Sequence, residues 1–477
     1  MNQASLSLMG TTAVVAAALL VGGCAMVGPD FKAPTAKYPA YRHAPAKTIG
    51  TAPTAPAGGA WWTVFGDAAL DGLEYRALAE NPSLASSAHR VEAARAELGV
   101  ARADARPSVT ASGTATLASQ SATHTIPVPG HSLTYRTRGD SYDLGFGASY
   151  ELDFWGRVRR SLESASAQVA ASQADERAAQ LLLCTDLAQT YFLYRELERE
   201  EFIVTEDISA QNEAIAVMRE RQRGGLTTDL DIQRADTELA VSEADAADLG
   251  RRRAQAFDAL AVLTGRAPSE LEPLVRGGVL PAPPDIPPGL PSETLLRRPD
   301  VVAAEDQLKA RTAEIGVAIA NRYPSIKLTG GAGFDSLALR TLLTEPAQFW
   351  QVGPTLAGPL FDGGRGEAAV EAAKAQAAGA LADYRAQCIT ALRDVEDALV
   401  ALRQESIQAK ALQRAFNSSQ TALHLADERY AHGFTNYLDV LDAQRSALQQ
   451  KRTLCQVRGD RLVSTVQLIR ALGGGWN

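Results

Sequence analysis

Residues Glu80–Val109 read ENPSLASSAHRVEAARAELGVARADARPSV, and Arg297–Ile326 read RRPDVVAAEDQLKARTAEIGVAIANRYPSI. Pro82 meets Pro299, Gly99 meets Gly316 and Pro107 meets Pro324, a constant spacing of 217. Farther along, Gly156-Arg157 matches Gly364-Arg365, Gln168 matches Gln376, Asp186 matches Asp394, Gly225 matches Gly433 and Gly265 matches Gly473, now at a spacing of 208. The first copy therefore carries nine extra residues between its Pro and its Gly-Arg. A period this long marks an internal duplication. One unit reads helix, β-hairpin, very long helix, Gly break, helix.

The helices are long. Arg157–Arg223 holds no Gly or Pro, and Glu367–His432 holds only Gly379. At about 1.5 Å per residue each could run on the order of 100 Å. Apolar and Ala positions recur at three and four in AAVEAAKAQAAGALADYRAQ, Ala368–Gln387, and small residues at that spacing suit close, coiled-coil-like packing. Each run ends in a Gly-centred break, RQRGGLTTDLDIQRAD at Arg221–Asp236 and RYAHGFTNYLDVLDAQ at Arg429–Gln444. The breaks predict two helical hairpins, folded back at Gly224-Gly225 and at Gly433.

The other end of each unit is β. In Ser141–Asp153, Tyr142, Leu144, Phe146, Ala148, Tyr150 and Leu152 alternate with Asp143, Gly145, Gly147, Ser149 and Glu151. Val109 and Leu117 oppose Thr110, Thr114 and Thr116; Ile326, Leu328 and Phe334 share a face, as do Trp350, Val352, Leu356 and Leu360. Such alternation over about 9–11 residues fits a strand with lipid on one side and water on the other; a half-buried soluble sheet gives the same pattern. In lipid a sheet must close, because open edges leave backbone groups unpaired. Closed membrane barrels begin at about eight strands, so four per chain require several chains. Three copies give twelve, although periodicity alone does not choose three over two or four.

Composition narrows the classes. Aromatics are 6% and the net charge is −8 over 477 residues, which disfavours large globular cores and nucleic-acid binding. The start, LSLMGTTAVVAAALLVGGCAMVGPDF, resembles a lipoprotein signal with Val21-Gly22-Gly23 before Cys24. On that reading residues 1–23 are removed, Cys24 is acylated, and Ala25 after it suggests the outer membrane. Cys184, Cys388 and Cys455 sit inside predicted helices and read as small apolar packing residues rather than a disulfide framework. The expected division is a lipid-anchored extended tether at 24–60, a first repeat at 61–265, a Pro-rich linker at 266–292, a second repeat at 293–472 and a tail at 473–477.

Together CAMVGPDFKAP, WWTVFGDAALDGL, ELDFWGRVR, RRPDVVAAE, YPSIKLTGGAG, GPLFDGGRGEA and YLDVLDAQR resemble the TolC-type outer-membrane efflux proteins. They are most similar to the lipoprotein branch serving resistance-nodulation-division pumps (NodT/OprM-like). The resemblance covers the whole mature chain in order. It implies an α+β membrane protein, a homotrimer pooling its strands into a twelve-stranded barrel above a long α-helical periplasmic tunnel. It also implies a belt including Trp61-Trp62 and Gly473–Asn477, and extracellular loops at Ser119–Ser141 and Asp335–Phe349. Its partners would be a periplasmic adaptor, an inner-membrane pump and outer-membrane lipid, with no nucleic acid. The same fold also serves type I protein secretion, and a non-conducting periplasmic coiled-coil lipoprotein is the reading from a different class.

The resemblance further implies a periplasmic gate at Leu438, Asp439 and Asp442, with Tyr430 helping to hold it closed. The Arg that cooperates with that Tyr in the family is Thr435 here, so the closed state would rest on Leu438 and rings of carboxylates. Asp439 and Asp442, three apart, share a helical face, and acidic rings in a narrow mouth favour cations. Asp439 keeps a second reading, as the third helical residue after an Asn436 cap. Asp442 lies beyond the first turn and corresponds to Arg234, so capping does not account for it. No P-loop, dinucleotide turn or nucleophile elbow occurs. The six His residues are scattered, with His124 and His131 read as solvated loop residues. Neither cofactor, metal nor enzyme activity is expected.

Overall fold

The computed structural model describes residues 26–34, 39–43, 59–119, 124–128, 131–135, 138–225, 227–272, 280–287 and 297–474. The expected signal peptide 1–23, the lipidation candidate Cys24, much of the expected tether and linker, and residues 475–477 lie outside them. Among the described residues the helices are α1 (Ala68–Glu80), α2 (Pro82–Asp104), α3 (Arg157–Arg223), α4 (Asp229–Leu263), α5 (Pro299–Ala320), α6 (Arg365–Ala431) and α7 (Tyr437–Ala471). The strands are β1 (Ser108–Ser119), β2 (His124–Val128), β3 (His131–Tyr135), β4 (Arg138–Leu152), β5 (Ser325–Ser336) and β6 (Gln348–Ala357). Helices α3 and α6 are each 67 residues long, and α4 and α7 each 35. None of the described helices is long and apolar enough to cross a membrane.

The chain divides into two compact units. The first comprises Met1–Pro34, Glu92–Ala171 and Glu305–Asp383. It contains an antiparallel sheet in the order β1-β4-β5-β6, so β4 and β5, one from each repeat, pair in the middle. The register sorts the two faces. Leu144 stands opposite Phe334, Phe146 opposite Ala332, and Ala332 in turn opposite Trp350, while Asp143, Asp335, Glu151 and Lys327 pair on the other face. The apolar face is bare: Trp350 is 79% exposed, and Val109, Leu117, Phe146, Val352 and Leu356 are also exposed. A face of that kind is foreign to a soluble monomer. Strand β6 ends at Ala357, so Leu360, expected on its apolar face, falls beyond the strand. Strands β2 and β3 form a separate ribbon where a plain loop was expected; the first-copy insertion gives the chain enough length to pair with itself.

The second unit comprises Thr35–Val91, Ser172–Ala304 and Tyr384–Asn477. Its main core gathers Trp61, Trp62, Phe65, Leu70, Tyr191, Phe192, Leu260, Leu462 and Ile469. The local sequence explains its edge. Trp61–Phe65 form a 3-10 turn, Gly66 ends it, and Asp67 caps α1 by accepting from Ala69 N at 2.9 Å and Leu70 N at 3.3 Å. Its other carboxylate oxygen accepts from the buried Tyr191 hydroxyl at 2.6 Å, and Phe65 packs on Phe192 with ring centroids 4.8 Å apart. Loss of such a cap costs about 1 kcal/mol. Helices α4 and α7 run side by side, held by Arg452, which binds Glu200 of α3 at 2.9 Å and Asp245 of α4 at 2.6 Å.

Candidate functional site

The gate candidates all lie at the second of the two hairpin turns of the second unit, between α6 and α7. Both turns reverse through a left-handed glycine, Gly225 at φ 72° and Gly433 at φ 77°, a conformation that costs other residues roughly 1–2 kcal/mol. Gly433 N donates to Tyr430 O at 3.0 Å and Phe434 N to Arg429 O at 2.8 Å, which satisfies the last carbonyls of α6. Behind the turns, Ile215, Met218, Ile232, Ala235, Tyr437, Val440 and Leu441 form a small core of their own. It joins the two hairpins.

Of the four candidates, three share α7 and one does not. Leu438 is half-buried, while Asp439 and Asp442 are exposed. Asn436 accepts from Asp439 N at 3.2 Å, and the Thr435 hydroxyl donates to the Asp439 carboxylate. The capping arrangement proposed for Asp439 is therefore present. Thr228 does the same for Asp231 in the first turn, with Asp231 N at 3.3 Å. Asp442, 64% exposed in its side chain, has Arg445 at 4.0 Å. Tyr430 turns into the small core, its ring 5.5 Å from that of Tyr437. The Arg221 guanidinium lies 5.4 Å from the Tyr430 ring centroid. The Tyr thus faces an Arg brought from the other hairpin rather than from position 435.

Sequence reasoning missed Arg445 and Glu238. Arg445 donates through Nε to Glu238 Oε2 at 2.7 Å, tying α7 to α4 one turn from Asp442. Below it Gln444 donates to Asp207 at 3.1 Å, and Gln211 donates to Ser242 at 3.0 Å. Burial raises the Asp207 carboxyl, against the lowering pull of Gln444 and Gln211. Lys451 closes the next layer on Glu206 at 3.0 Å.

Other titratable groups are held in settings unlike those of reactive centres. Burial pushes the Glu74 carboxyl up to about 9, against a lowering hydrogen bond from Cys184 and with Asp71 adding to the rise. The Cys184 thiol is raised by burial and by Glu74, the reverse of the electropositive, accessible setting of a nucleophilic thiolate. A cavity of about 560 Å³ in the same unit is lined by Trp61, Trp62, Tyr75, Arg177, Arg297 and Gly474, among others, and by none of the gate candidates. No cluster of three potential metal ligands occurs among the described residues.

A duplicated chain with paired long helices, two capped hairpin turns and a sheet bare on its apolar face defines a membrane-channel class of protein. The family model for outer membrane efflux protein matches residues 73–266 and 290–474. Outer membrane protein OprJ of Pseudomonas aeruginosa is 35% identical, over 96% of this chain and 95% of its own length. The probable outer membrane lipoprotein SilC of Salmonella typhimurium is 31% identical, over 96% of this chain and 97% of its own. The solved outer-membrane channel OprN superposes with a TM-score of 0.85 at 32% identity, covering 94% of this chain and 99% of its own. The chain belongs to the outer membrane efflux protein family, and it is an efflux channel of the outer membrane.

Proposed function

We propose that three copies of this chain pool their four-stranded sheets into one twelve-stranded barrel, continued by a helical tunnel into the periplasm. The observation that carries this reading is the sheet itself. Its apolar face is exposed, and neither β1 nor β6 has a second neighbour among the described strands. In lipid each unpaired backbone group costs several kcal/mol, so the edges call for copies of themselves. The conduit is passive. Substrate comes from an inner-membrane pump through a periplasmic adaptor, which supply the energy and the choice of cargo. Cys24 carries the lipid anchor, and the segments 24–60, 61–265, 266–292, 293–472 and 473–477 serve as tether, first repeat, linker, second repeat and tail.

The mouth of the tunnel lies at the second hairpin turn. Three-fold repetition converts Asp439 and Asp442 into stacked carboxylate rings, with Leu438 as an apolar constriction and Tyr430 bracing it from behind. Such rings admit cations and hold back anions. Single-channel recording in planar bilayers tests both parts, with the wild type beside Asp439→Ala/Asp442→Ala. A small cation-preferring current that grows in the variant supports pore and gate together. An equal current from both keeps the pore and returns the aspartates to helix capping. Silence from folded trimers of both favours a structural lipoprotein.

A further inference from the structure

Residues 26–30, just downstream of Cys24 in sequence, are seated in a slot of the first unit. Val27 N donates to Trp155 O at 3.1 Å. Met26 lies over Gly156, where a Cβ would come within 2.5 Å of Met26 Cγ. Gly28 is left-handed, at φ 91°, with its backbone against α5: a Cβ there would lie 2.5 Å from Gly316 Cα. Arg160 closes the slot with a side chain 1% exposed. Its Nε donates to Val27 O at 3.2 Å, Nη2 to Gly28 O at 3.2 Å and to Asp30 at 2.8 Å, and Nη1 to Glu163 at 2.7 Å. Three of these four hydrogen bonds go to the N-terminal segment and the fourth to Glu163 on the same helix, so the segment supplies most of the pairing of this buried guanidinium. Gly316 keeps room for it, since a Cβ there would lie 2.7 Å from Arg160 Cγ.

The duplication makes the slot stand out. At the equivalent positions of the other copy, Gly99 faces open space and Ala368 replaces Arg160. One receiver is built per chain, for one N-terminal segment. Its neighbours point to a membrane interface. Trp155 stacks on Tyr323 with ring centroids 4.6 Å apart and donates to Pro324 O at 2.9 Å, at the ends of the strands, where such amphipathic rings gather in membrane proteins.

We infer that this slot is a receptor for the lipid-anchored N-terminus, with Arg160 as its positioning residue. It holds residues 26–30 beside the end of β4 and thereby ties lipid attachment, two residue steps upstream, to placement of the sheet in the bilayer. The inference rests on acylation of Cys24. Cys24 lies two residue steps from Met26, a reach of about 7 Å, whereas a segment unbound as far as Tyr41, which is packed in the main core, could wander on the order of 60 Å. Seating residues 26–30 removes that freedom.

The test uses the full chain in outer-membrane vesicles, with trypsin cleavage at the exposed Lys32 as the local readout. Gly28→Val blocks the slot without touching α3, and Arg160→Ala empties it. Both should speed cleavage by about tenfold or more, since proteolysis follows local opening. Both should also lower the amount of assembled oligomer about fivefold when Cys24 is present, and less than twofold in a Cys24→Ala background, because effects acting through one linkage are not additive. Equal loss in both backgrounds would reduce the slot to ordinary packing and overturn the inference. The mass of the N-terminal tryptic peptide separates the two layers. A peptide without lipid sinks the Cys24 reading and the receptor with it, whereas a lipidated peptide with unchanged cleavage sinks the receptor alone.

Discussion

The two hairpin turns of the second unit share their backbone and differ in their faces. Gly225 and Gly433 reverse the chain alike, Thr228 and Asn436 cap alike, and Asp231 and Asp439 occupy the same capped position. Around that common frame Gln222 becomes Tyr430, Asp229 becomes Tyr437, Gln233 becomes Leu441, Arg234 becomes Asp442 and Thr237 becomes Arg445. What the copies keep is what makes a turn. At these positions only the second copy has an aromatic brace, an acid at 442 and a cation, Arg445, bound to a carboxylate of the other hairpin, and these are the features that the proposed charge-selective mouth would use.

The largest expected effect comes from erasing that difference at its charged position. Asp442→Arg gives the second turn the residue of the first and, over three copies, exchanges three negative charges for three positive ones. In a confined mouth the cation-to-anion permeability ratio should swing on the order of a hundredfold and fall below one. Reversal potentials across a salt gradient report it. The converse change, Arg234→Asp, should leave the ratio near that of the wild type. A comparable shift from Arg234→Asp would mean that both turns face the conduit, and the division of labour between them would be wrong.

A smaller effect should come from the tie between the hairpins. Arg445 holds Glu238 at 2.7 Å while reaching Asp442 at 4.0 Å. A half-exposed pair of this kind is worth about 0.5 kcal/mol, and three of them about 1.5, or roughly tenfold in the fraction of open channels. Arg445→Ala and Glu238→Gln should therefore raise open probability alike, and the double variant should add little to either single one. Independent, additive effects would show that Arg445 acts through Asp442 and not through Glu238.

Much of this frame was legible because it is local or periodic. The spacing of 208 carries α3 onto α6 and α4 onto α7 residue for residue, and alternation foretold which side chains of β4 and β5 share a face. The tie at Arg445 was harder to see, since its partner lies 207 residues away; yet Arg452 and Asp245 are also 207 apart. Repeats lying side by side place each residue next to its near-equivalent, so the duplication held that signal without revealing which helices would touch. The Arg160 slot was not legible at all. It requires Gly28, Gly156 and Gly316 to meet, and no local pattern joins positions so far apart. Leu360 misled for the opposite reason: alternation continued in the letters after the ladder had ended at Ala357.

The smallest effect bears on Asp439, which is held in a helix cap and which the proposed gate also uses. Its carboxylate takes the Thr435 hydroxyl and its amide is held by Asn436, as Asp231 is held by Thr228. Asn436→Ala and Thr228→Ala should each cost about 1 kcal/mol of local stability, visible as faster hydrogen exchange in the first turn of α7 or α4 and little changed elsewhere. Thr228→Ala should leave conductance untouched. Asp439→Asn keeps a side chain able to accept from Thr435 but removes the charge, so it separates cap from ring in one substitution. Unchanged exchange with a larger current would make Asp439 a gate acid that also caps its helix. Unchanged exchange and unchanged current would leave the gate to Asp442 and Leu438, with Asp439 the inheritance of a turn that the first copy also makes.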